Sequence, residues 1–391
     1  MAVCGNEAMR HGIILAKNEL AKRAGVKTAE TIREAKRKCP DLVLAQPHYR
    51  EYAAYSAAVH QIFTHYTDLV EPFGMDESWL DVTNSRMLFG DGVTVANELR
   101  KVVKAQTGLT ISVGVSFNKV FAKLGSDYKK PDATTVIDRR NYHVMVDSLP
   151  VSDLLYVGSS ALQTLHRLQI HTIGELAKAN PALLQAKLGK LGLTLHAYAN
   201  GEDDSPVARI GQDREMKSIG RGMTFRRDLA TPEDVHLGIL VLSEEVAAQL
   251  RLHRKKAAGI QLTLKDPNLK VITRQQLLSS PTQLAHELTA AAWALYQNAW
   301  RTSKPIRMLT VTAQGILPEE AVTEQITFFG EAEHADVQKY GKLEHTLDAI
   351  RAKYGQEVIG AGAVLGNDLG IGTPSVAAQK KQFDAPPEEQ S

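Results

Sequence analysis

Two adjacent carboxylates, Asp76 and Glu77, stand in the run Val70-Glu71-Pro72-Phe73-Gly74-Met75-Asp76-Glu77-Ser78-Trp79-Leu80-Asp81-Val82-Thr83, at the tip of an apolar turn that leads straight into a strand. Neighbouring residues on a strand point to opposite faces, so the two acids share one site only if the backbone bends between them, as Gly74 permits. Carboxylates at close range repel unless a cation lies between them. With oxygen as the only donor, the pattern points to Mg²⁺ rather than zinc. A metal-dependent nucleotidyl transferase presents its acids in this way. For the pair taken alone, an exposed acidic β-turn on any soluble protein is the plainer alternative. Asp81 lies beyond the turn and reads as structural.

The elements that must position these acids follow directly. A helix is expected from about Gly92 to Ala105, with Val95, Leu99 and Val102 on one face, and then a strand over Leu109–Val115. Next comes Ser116-Phe117-Asn118-Lys119-Val120-Phe121-Ala122-Lys123-Leu124-Gly125-Ser126-Asp127-Tyr128-Lys129-Lys130-Pro131-Asp132, and a further strand over Thr134–Ile137. A residue before proline avoids the α region, which holds Lys130 at a helix end behind the carboxylates; Lys129 is the neighbouring alternative. A lysine placed there can meet phosphate oxygens as a point charge.

The chain has 391 residues, 43% of them hydrophobic, enough to bury more than one core and to form about two to four domains. The formal charge is only +2, so attraction to a polyanion must come from local clustering. Cys4 and Cys39 lie far apart in sequence and form no CxxC, so neither a disulfide scaffold nor a zinc site is suggested. No stretch reads as a membrane span or cleaved signal, and a reducing cytoplasm is the expected compartment.

The strand, helix, strand, helix, strand order, the acidic turn and the S-V-G-V-S-x-N-K-x-x-A-K-x-x-S-D block with its closing K-P resemble the palm of the Y-family (DinB/UmuC-like) translesion DNA polymerases. The resemblance implies an α+β multidomain fold shaped as a right hand. It comprises a ferredoxin-like palm over 1–11 and 65–149, small helical fingers over 12–64 and a helix-hairpin-helix thumb over 150–206. A β-α-β-β-α-β little finger over 207–330 follows, then a C-terminal helix and disordered tail over 331–391.

It also implies partners and roles. Primer-template DNA and deoxynucleoside triphosphates are the substrates, and two Mg²⁺ ions are expected. Asp76 would bridge them and Glu77 would ligate the ion at the primer terminus. Lys130 and Lys22 would balance triphosphate charge, Lys22 lying in the L-A-K-N-E-L-A-K-R-A-G-V-K run, where Glu19 stands in place of a common aromatic. A solvated helix face is the plainer reading of Lys22. In the thumb, Gly158 and Gly174 (in Leu168-Gln169-Ile170-His171-Thr172-Ile173-Gly174-Glu175-Leu176) would offer backbone N–H groups to DNA phosphates, although Val157-Gly158-Ser159 lacks the usual G-x-G. In the little finger, Lys217, Ser218, Arg221, Thr224, Arg226 and Arg307 would meet DNA without reading its sequence. Arg254 to Lys256 fit phosphate contact and helix-dipole complementarity equally. Gln379 to Phe383 faintly resembles a sliding-clamp peptide.

The start departs from the family. An opening strand of the form D-x-x-x-F-[FY]-A-x-V-E, which carries the second shared metal ligand, is not found; Met1-Ala2-Val3-Cys4-Gly5-Asn6 looks like a later strand. An internal start codon or a degraded copy is therefore expected, and the chain read from Met1 is expected to bind DNA but incorporate little. The alternatives are a catalytically inactive DNA-binding remnant and a nucleotide cyclase of palm fold.

Overall fold

The computed structural model describes residues 1–5, 12–212, 215–300, 304–322, 331–355 and 358–371. The expected clamp peptide at Gln379 to Phe383 and the rest of the tail lie outside the described residues. Two compact units emerge, one drawn from Met1–Tyr49 and Arg214–Ser391, the other from Arg50–Asp213.

At the start of the chain, strands β1 (Ala2–Cys4), β2 (Ile14–Lys17) and β3 (Leu44–Ala45) form a sheet in the order β2-β1-β3. Helices α1 (Glu19–Arg23) and α2 (Ile32–Lys38) lie between β2 and β3. The Asn18 side chain caps α1, and a Thr31/Glu34 capping box opens α2. Residues 1–11 were expected with the palm, but β1 pairs with β2 and β3. The reason is burial: Ala2 and Cys4 pack among Ile14, Ala21, Val26 and Ile32.

The second unit opens with α3 (Tyr49–Thr64), then the hairpin β4 (Val70–Pro72) and β5 (Ser78–Leu80). After the short α4 (Arg86–Phe89) comes α5 (Gly92–Thr107), capped by Asp91 and ended by left-handed Gly108. Strand β6 (Val113–Ser116), helix α6 (Lys119–Tyr128) and strand β7 (Thr134–Ile137) complete the expected alternation. The strand expected from Leu109 begins only at Val113. Strands β6 and β7 pair in parallel, and β4 with β5 forms a separate sheet. Helix α6 rides directly on β6: a Cβ on Gly114 would sit 1.9 Å from the Ala122 carbonyl oxygen, and one on Gly125 3.1 Å from the Gly114 Cα. Only glycines allow this approach. Phe121 and Leu124 on α6 then bury into a core shared with α7 (Tyr142–Val146), α8 (Ser159–Arg167), α9 (Ile173–Lys178), α10 (Pro181–Leu188) and α11 (Lys190–Ala199). Full burial of a side chain such as Phe121 stabilises by roughly 1.5–3 kcal/mol.

From Ser218 the order is β8 (Ser218–Leu229), α12 (Pro232–Leu252), β9 (Lys255–Lys265), β10 (Val271–Thr282), α13 (Ala285–Ala299) and β11 (Ile306–Pro318), the expected β-α-β-β-α-β. The sheet runs β10-β9-β11-β8, and α12 and α13 cover one face through a core that includes Phe225, Ile239, Leu242, Leu262, Leu288 and Leu309.

The segment after residue 330, expected as a separate helix and tail, belongs to this packing as far as Ile371. Helix α14 (Glu331–Tyr354) brings Glu344 and Asp348 to Arg251 of α12, whose side chain is 4% exposed. The Arg251 guanidinium donates to Glu344, to Asp348 at 2.6 Å and to the Gln283 carbonyl at 3.1 Å. Glu344 also accepts from the Ala285 N–H, at the first turn of α13 where a carboxylate is favoured. Burial pushes the Glu344 carboxyl up, against the pull of Arg251 and the Ala285 N–H. Leu369 and Ile371 join the core, and the Leu369 carbonyl accepts from the Arg226 N–H of β8 at 2.9 Å.

Removing one partner of a buried pair leaves a stranded charge, which costs about 3–5 kcal/mol. Arg251→Ala should therefore lower the unfolding free energy of this unit by that order and its denaturant midpoint with it, and Arg251→Ala with Glu344→Ala should lose less than Arg251→Ala alone. An unchanged midpoint in Arg251→Ala would show that the ion cluster does not hold α14.

Candidate active site

The acidic residues sit in the turn between β4 and β5. Pro72 is paired with Ser78, the Phe73 N–H donates to the Glu77 carbonyl at 2.8 Å, and Gly74 adopts φ +85°, a left-handed value that lets the chain reverse without strain. Asp76 is exposed and Glu77 half-buried. Helix α3 braces the turn from behind: the Ser56 hydroxyl donates to the Met75 carbonyl, and His60 Nε2 lies 2.9 Å from Ser78 Oγ. Burial holds the His60 imidazole below the ordinary histidine pKa, so it is neutral near pH 7.

Helix α6 clasps the hairpin with two lysines one turn apart. Lys119 Nζ donates to Glu71 and lies 5.1 Å from the Trp79 ring centroid, while the Trp79 indole N–H donates to the Lys119 carbonyl at 2.9 Å. Glu71 further accepts from the Ala208 N–H at 2.9 Å. Lys123 Nζ donates to Glu77 Oε1 at 2.9 Å and to Asp127 Oδ2 at 2.7 Å, and Asp127 Oδ1 pairs with Lys130 at 2.8 Å. Burial works against the Lys123 ammonium, but its bonds to Asp127 and Glu77 outweigh burial and raise its pKa. Burial likewise disfavours the Asp127 carboxylate, and Lys123 and Lys130 overcome it and lower its pKa.

The structure thus joins Glu77 and Lys130 through two intervening charges. Asp81, read as structural, accepts from the Thr83 N–H at 2.9 Å and holds the following turn. Lys22 lies in the other unit, exposed and paired with Glu19 at 3.4 Å. Among the described residues no group of three or more His, Cys, Asp or Glu side chains could hold a metal ion. The donor chemistry of Asp76 and Glu77 still fits one hard divalent ion, since Mg²⁺ is commonly held by one or two carboxylates, with water and substrate phosphate completing its shell. It does not supply carboxylates for two.

Of the two glycines expected to hold DNA phosphate, Gly158 stands exposed as the N-cap of α8 with no side-chain cap, leaving the first N–H groups of that helix outward. Gly174 is corrected. It is buried, its N–H donates to the Asp147 carbonyl at 3.0 Å, and a Cβ there would lie 2.8 Å from Asp147 Cβ. Gly174 is a close-packing residue and offers no N–H to a phosphate. A second helix start resembling that at Gly158 was missed: Gly189 caps α11 without a side chain, with Lys190 as the first helical residue. The sequence signal was Gly189-Lys190-Leu191-Gly192, where a Cβ on Gly192 would strike the Leu184 carbonyl at 2.3 Å.

On the four-stranded sheet, pairing sorts the expected contacts by face. Thr273, Thr263, Thr310 and Gly222 form one row of the uncovered face, and Gln275, Gln261, Thr312 and Gly220 the next. Ser218 and Thr224 share that face, paired with Gln314 and Met308. Arg221 is corrected: it pairs with buried Val311 and alternates with buried Ile219 and Phe225, which puts it on the helix-covered side. Lys217 and Arg226 are exposed, and Arg307 sits at the irregularity between Ile306 and Met308. Arg227 is held by Asp234 and Asp368, each at 2.7 Å.

Comparison with known proteins adds a consistent frame. The family described as impB/mucB/samB matches residues 1–127, and its C-terminal domain matches residues 216–328. The chain is 44% identical over 371 residues to DNA polymerase IV of Acetivibrio thermocellus, covering 95% of this chain and 92% of that protein. It is 37% identical to DNA polymerase IV of Pelotomaculum thermopropionicum over 91% of this chain and 87% of that protein. Its fold matches a Y-family DNA polymerase chimera with a TM-score of 0.70 and 20% identity, covering 81% of this chain and 92% of that chain. No helix among the described residues is long and apolar enough to cross a membrane.

Because His60 is neutral in the fold, its imidazole should titrate below the ordinary value of about 6.5 when followed by NMR. The unfolded chain takes up that proton first, so the contribution of His60 to stability is present above the unfolded pKa and is lost as pH falls toward the folded one. The stability advantage of the natural chain over His60→Gln should shrink as pH falls below the ordinary histidine value of about 6.5; an advantage that grows on acidification would refute the assignment.

Proposed function

The chain belongs to the impB/mucB/samB family of Y-family DNA polymerases, and from that premise we propose that the β4–β5 hairpin is the cation-holding end of a template-directed nucleotidyl-transfer site. The activity is that of a DNA-directed DNA polymerase of the translesion type, adding deoxynucleotides to a primer 3′ end. The observation that carries the site assignment is exposed Asp76 beside Glu77, with Glu77 fixed by Lys123 and linked through Asp127 to Lys130.

In this reading Asp76 and Glu77 hold Mg²⁺, which when bound supplies Lewis-acid stabilisation to the reacting phosphoryl group and a lower pKa to the primer hydroxyl. Lys130 balances charge on the triphosphate as a point charge, and Lys22 is retained for the same role on sequence alone. The hairpin with α5, β6, α6 and β7 serves as the palm over 65–149, residues 12–64 as fingers, 150–206 as thumb and the sheet from 207 as little finger. The uncovered sheet face, with Lys217, Ser218, Thr224 and Arg226 at one edge, lies along the duplex, and the helix starts at Gly158 and Gly189 take backbone phosphates. The cytoplasm is retained as the expected compartment on sequence alone. Gln379 to Phe383 is retained as a clamp-docking peptide on sequence alone.

The other readings are less favoured. A cyclase has no use for the second family domain at 216–328. An inactive remnant is at odds with a family match over 1–127 that includes the acidic hairpin.

In a chain that also carries the expected opening strand ahead of Met1, Asp76→Asn and Glu77→Gln should each reduce Mg²⁺-dependent primer extension by about a hundredfold or more while primer-template affinity stays within about twofold, since these groups hold metal rather than DNA. Asp81→Asn should cost far less. Normal extension by Asp76→Asn would move the site elsewhere. Separately, duplex binding should weaken steeply with salt and be indifferent to sequence. Arg226→Glu together with Lys217→Glu should flatten that salt slope, and a salt-independent affinity would rule out the sheet edge as the DNA contact.

A further inference from the structure

The charges around Glu77 form an alternating chain, Glu77, Lys123, Asp127, Lys130, each joined to the next at 2.7–2.9 Å. Lys123 is its central member. Its side chain is 18% exposed and divides one ammonium between two carboxylates, while Lys119, one turn earlier, is committed to Glu71. We propose that Lys123 is a positioning residue that couples the two ends of the site, setting how tightly Glu77 takes a divalent cation and how freely Lys130 meets phosphate. The inference rests on the assignment of Asp76 and Glu77 as the cation end and of Lys130 as a phosphate contact.

The signs follow from the order of charges. With Lys123 in place, its positive charge beside Glu77 competes with an incoming cation and also satisfies half of Asp127, leaving Lys130 only partly engaged. Without that charge, Glu77 and Asp76 attract a cation more strongly, and Asp127, now balanced by Lys130 alone, draws Lys130 away from phosphate. Neutralising Asp127 does the reverse: Lys123 bears wholly on Glu77 and weakens the cation, and Lys130 is released to phosphate. A purely structural lysine would not move the two affinities in opposite directions.

The test uses the full chain and two equilibrium measurements: calorimetric titration with Mn²⁺ alone, and binding of a fluorescent deoxynucleoside triphosphate in saturating Ca²⁺. Lys123→Met should tighten Mn²⁺ by about three- to tenfold and weaken the nucleotide by about the same factor, the range expected for one unit charge at partly screened contact distance. Asp127→Asn should shift both affinities the opposite way, and Lys123→Arg, which keeps the charge, should stay near the natural chain. Asp127 is half exposed, so its variant tests the coupling even if Lys123→Met fails to fold. Unchanged affinities, or affinities that move together in Asp127→Asn, overturn the proposal, and they leave the polymerase reading intact provided Glu77→Gln still abolishes Mn²⁺ binding. If Glu77→Gln leaves Mn²⁺ binding untouched, the cation end is misassigned and the coupling falls with it.

Discussion

Everything at the acidic hairpin depends on its being clasped by one helix. Strands of three residues, Val70–Pro72 and Ser78–Leu80, cannot by themselves hold two carboxylates at a fixed place. From α6, Lys119 grips β4 through Glu71 and Lys123 grips the turn through Glu77, and Trp79 of β5 returns a hydrogen bond to the Lys119 carbonyl. The clasp is electrostatic as well as mechanical, because each lysine also relieves an acid that would otherwise repel its neighbour. Removing water from the Lys119–Glu71 pair, whose side chains are about one-tenth exposed, strengthens the attraction and raises the penalty for breaking it.

The four-stranded sheet solves a different problem. A surface that follows a polyanion must avoid carboxylates over a wide area, and the rows built from Thr273 to Gly222 and from Gln275 to Gly220 contain none. Threonine and glutamine side chains bond across the strands, as Thr263 does with Thr273 at 3.0 Å and Gln314 with Gln261 at 2.8 Å. The buried ion cluster of Arg251 and the segment ending at Ile371 lie with the helical layer and at the β8 edge, so stability is gathered away from the uncovered face.

Much of this was legible in the residues. The period of Val95 and Leu99 and the strand-helix alternation gave helix α5 close to its observed ends. What escaped depended on tertiary partners. Gly158 and Gly174 look alike in sequence, yet one is an open cap and the other a packing contact on Asp147. Arg221 and Arg226 both read as strand-borne cations, and only the pairing of Arg221 with Val311 reveals the covered side. The Glu77–Lys123–Asp127–Lys130 chain mixes an i,i+4 pair visible in sequence with a contact across 46 positions that no local pattern contains. The place of β1 was misjudged for the same reason, since its partners lie in segments read as another lobe.

The contact between Gly114 and the Ala122 carbonyl has a consequence for how this chain can vary. Where a helix rests on a strand through side chains, exchanging one for another resizes the gap and shifts every group the helix carries. Here backbone meets backbone, so the height of α6 above β6 is set by atoms that all sequences share. Substitutions around Phe121 or Leu124 can accumulate and be repacked on the far side of the helix without retuning the reach of Lys119 and Lys123. Mutational freedom in the core and constancy of charge placement are thereby separated, and the two glycines are where that separation is enforced.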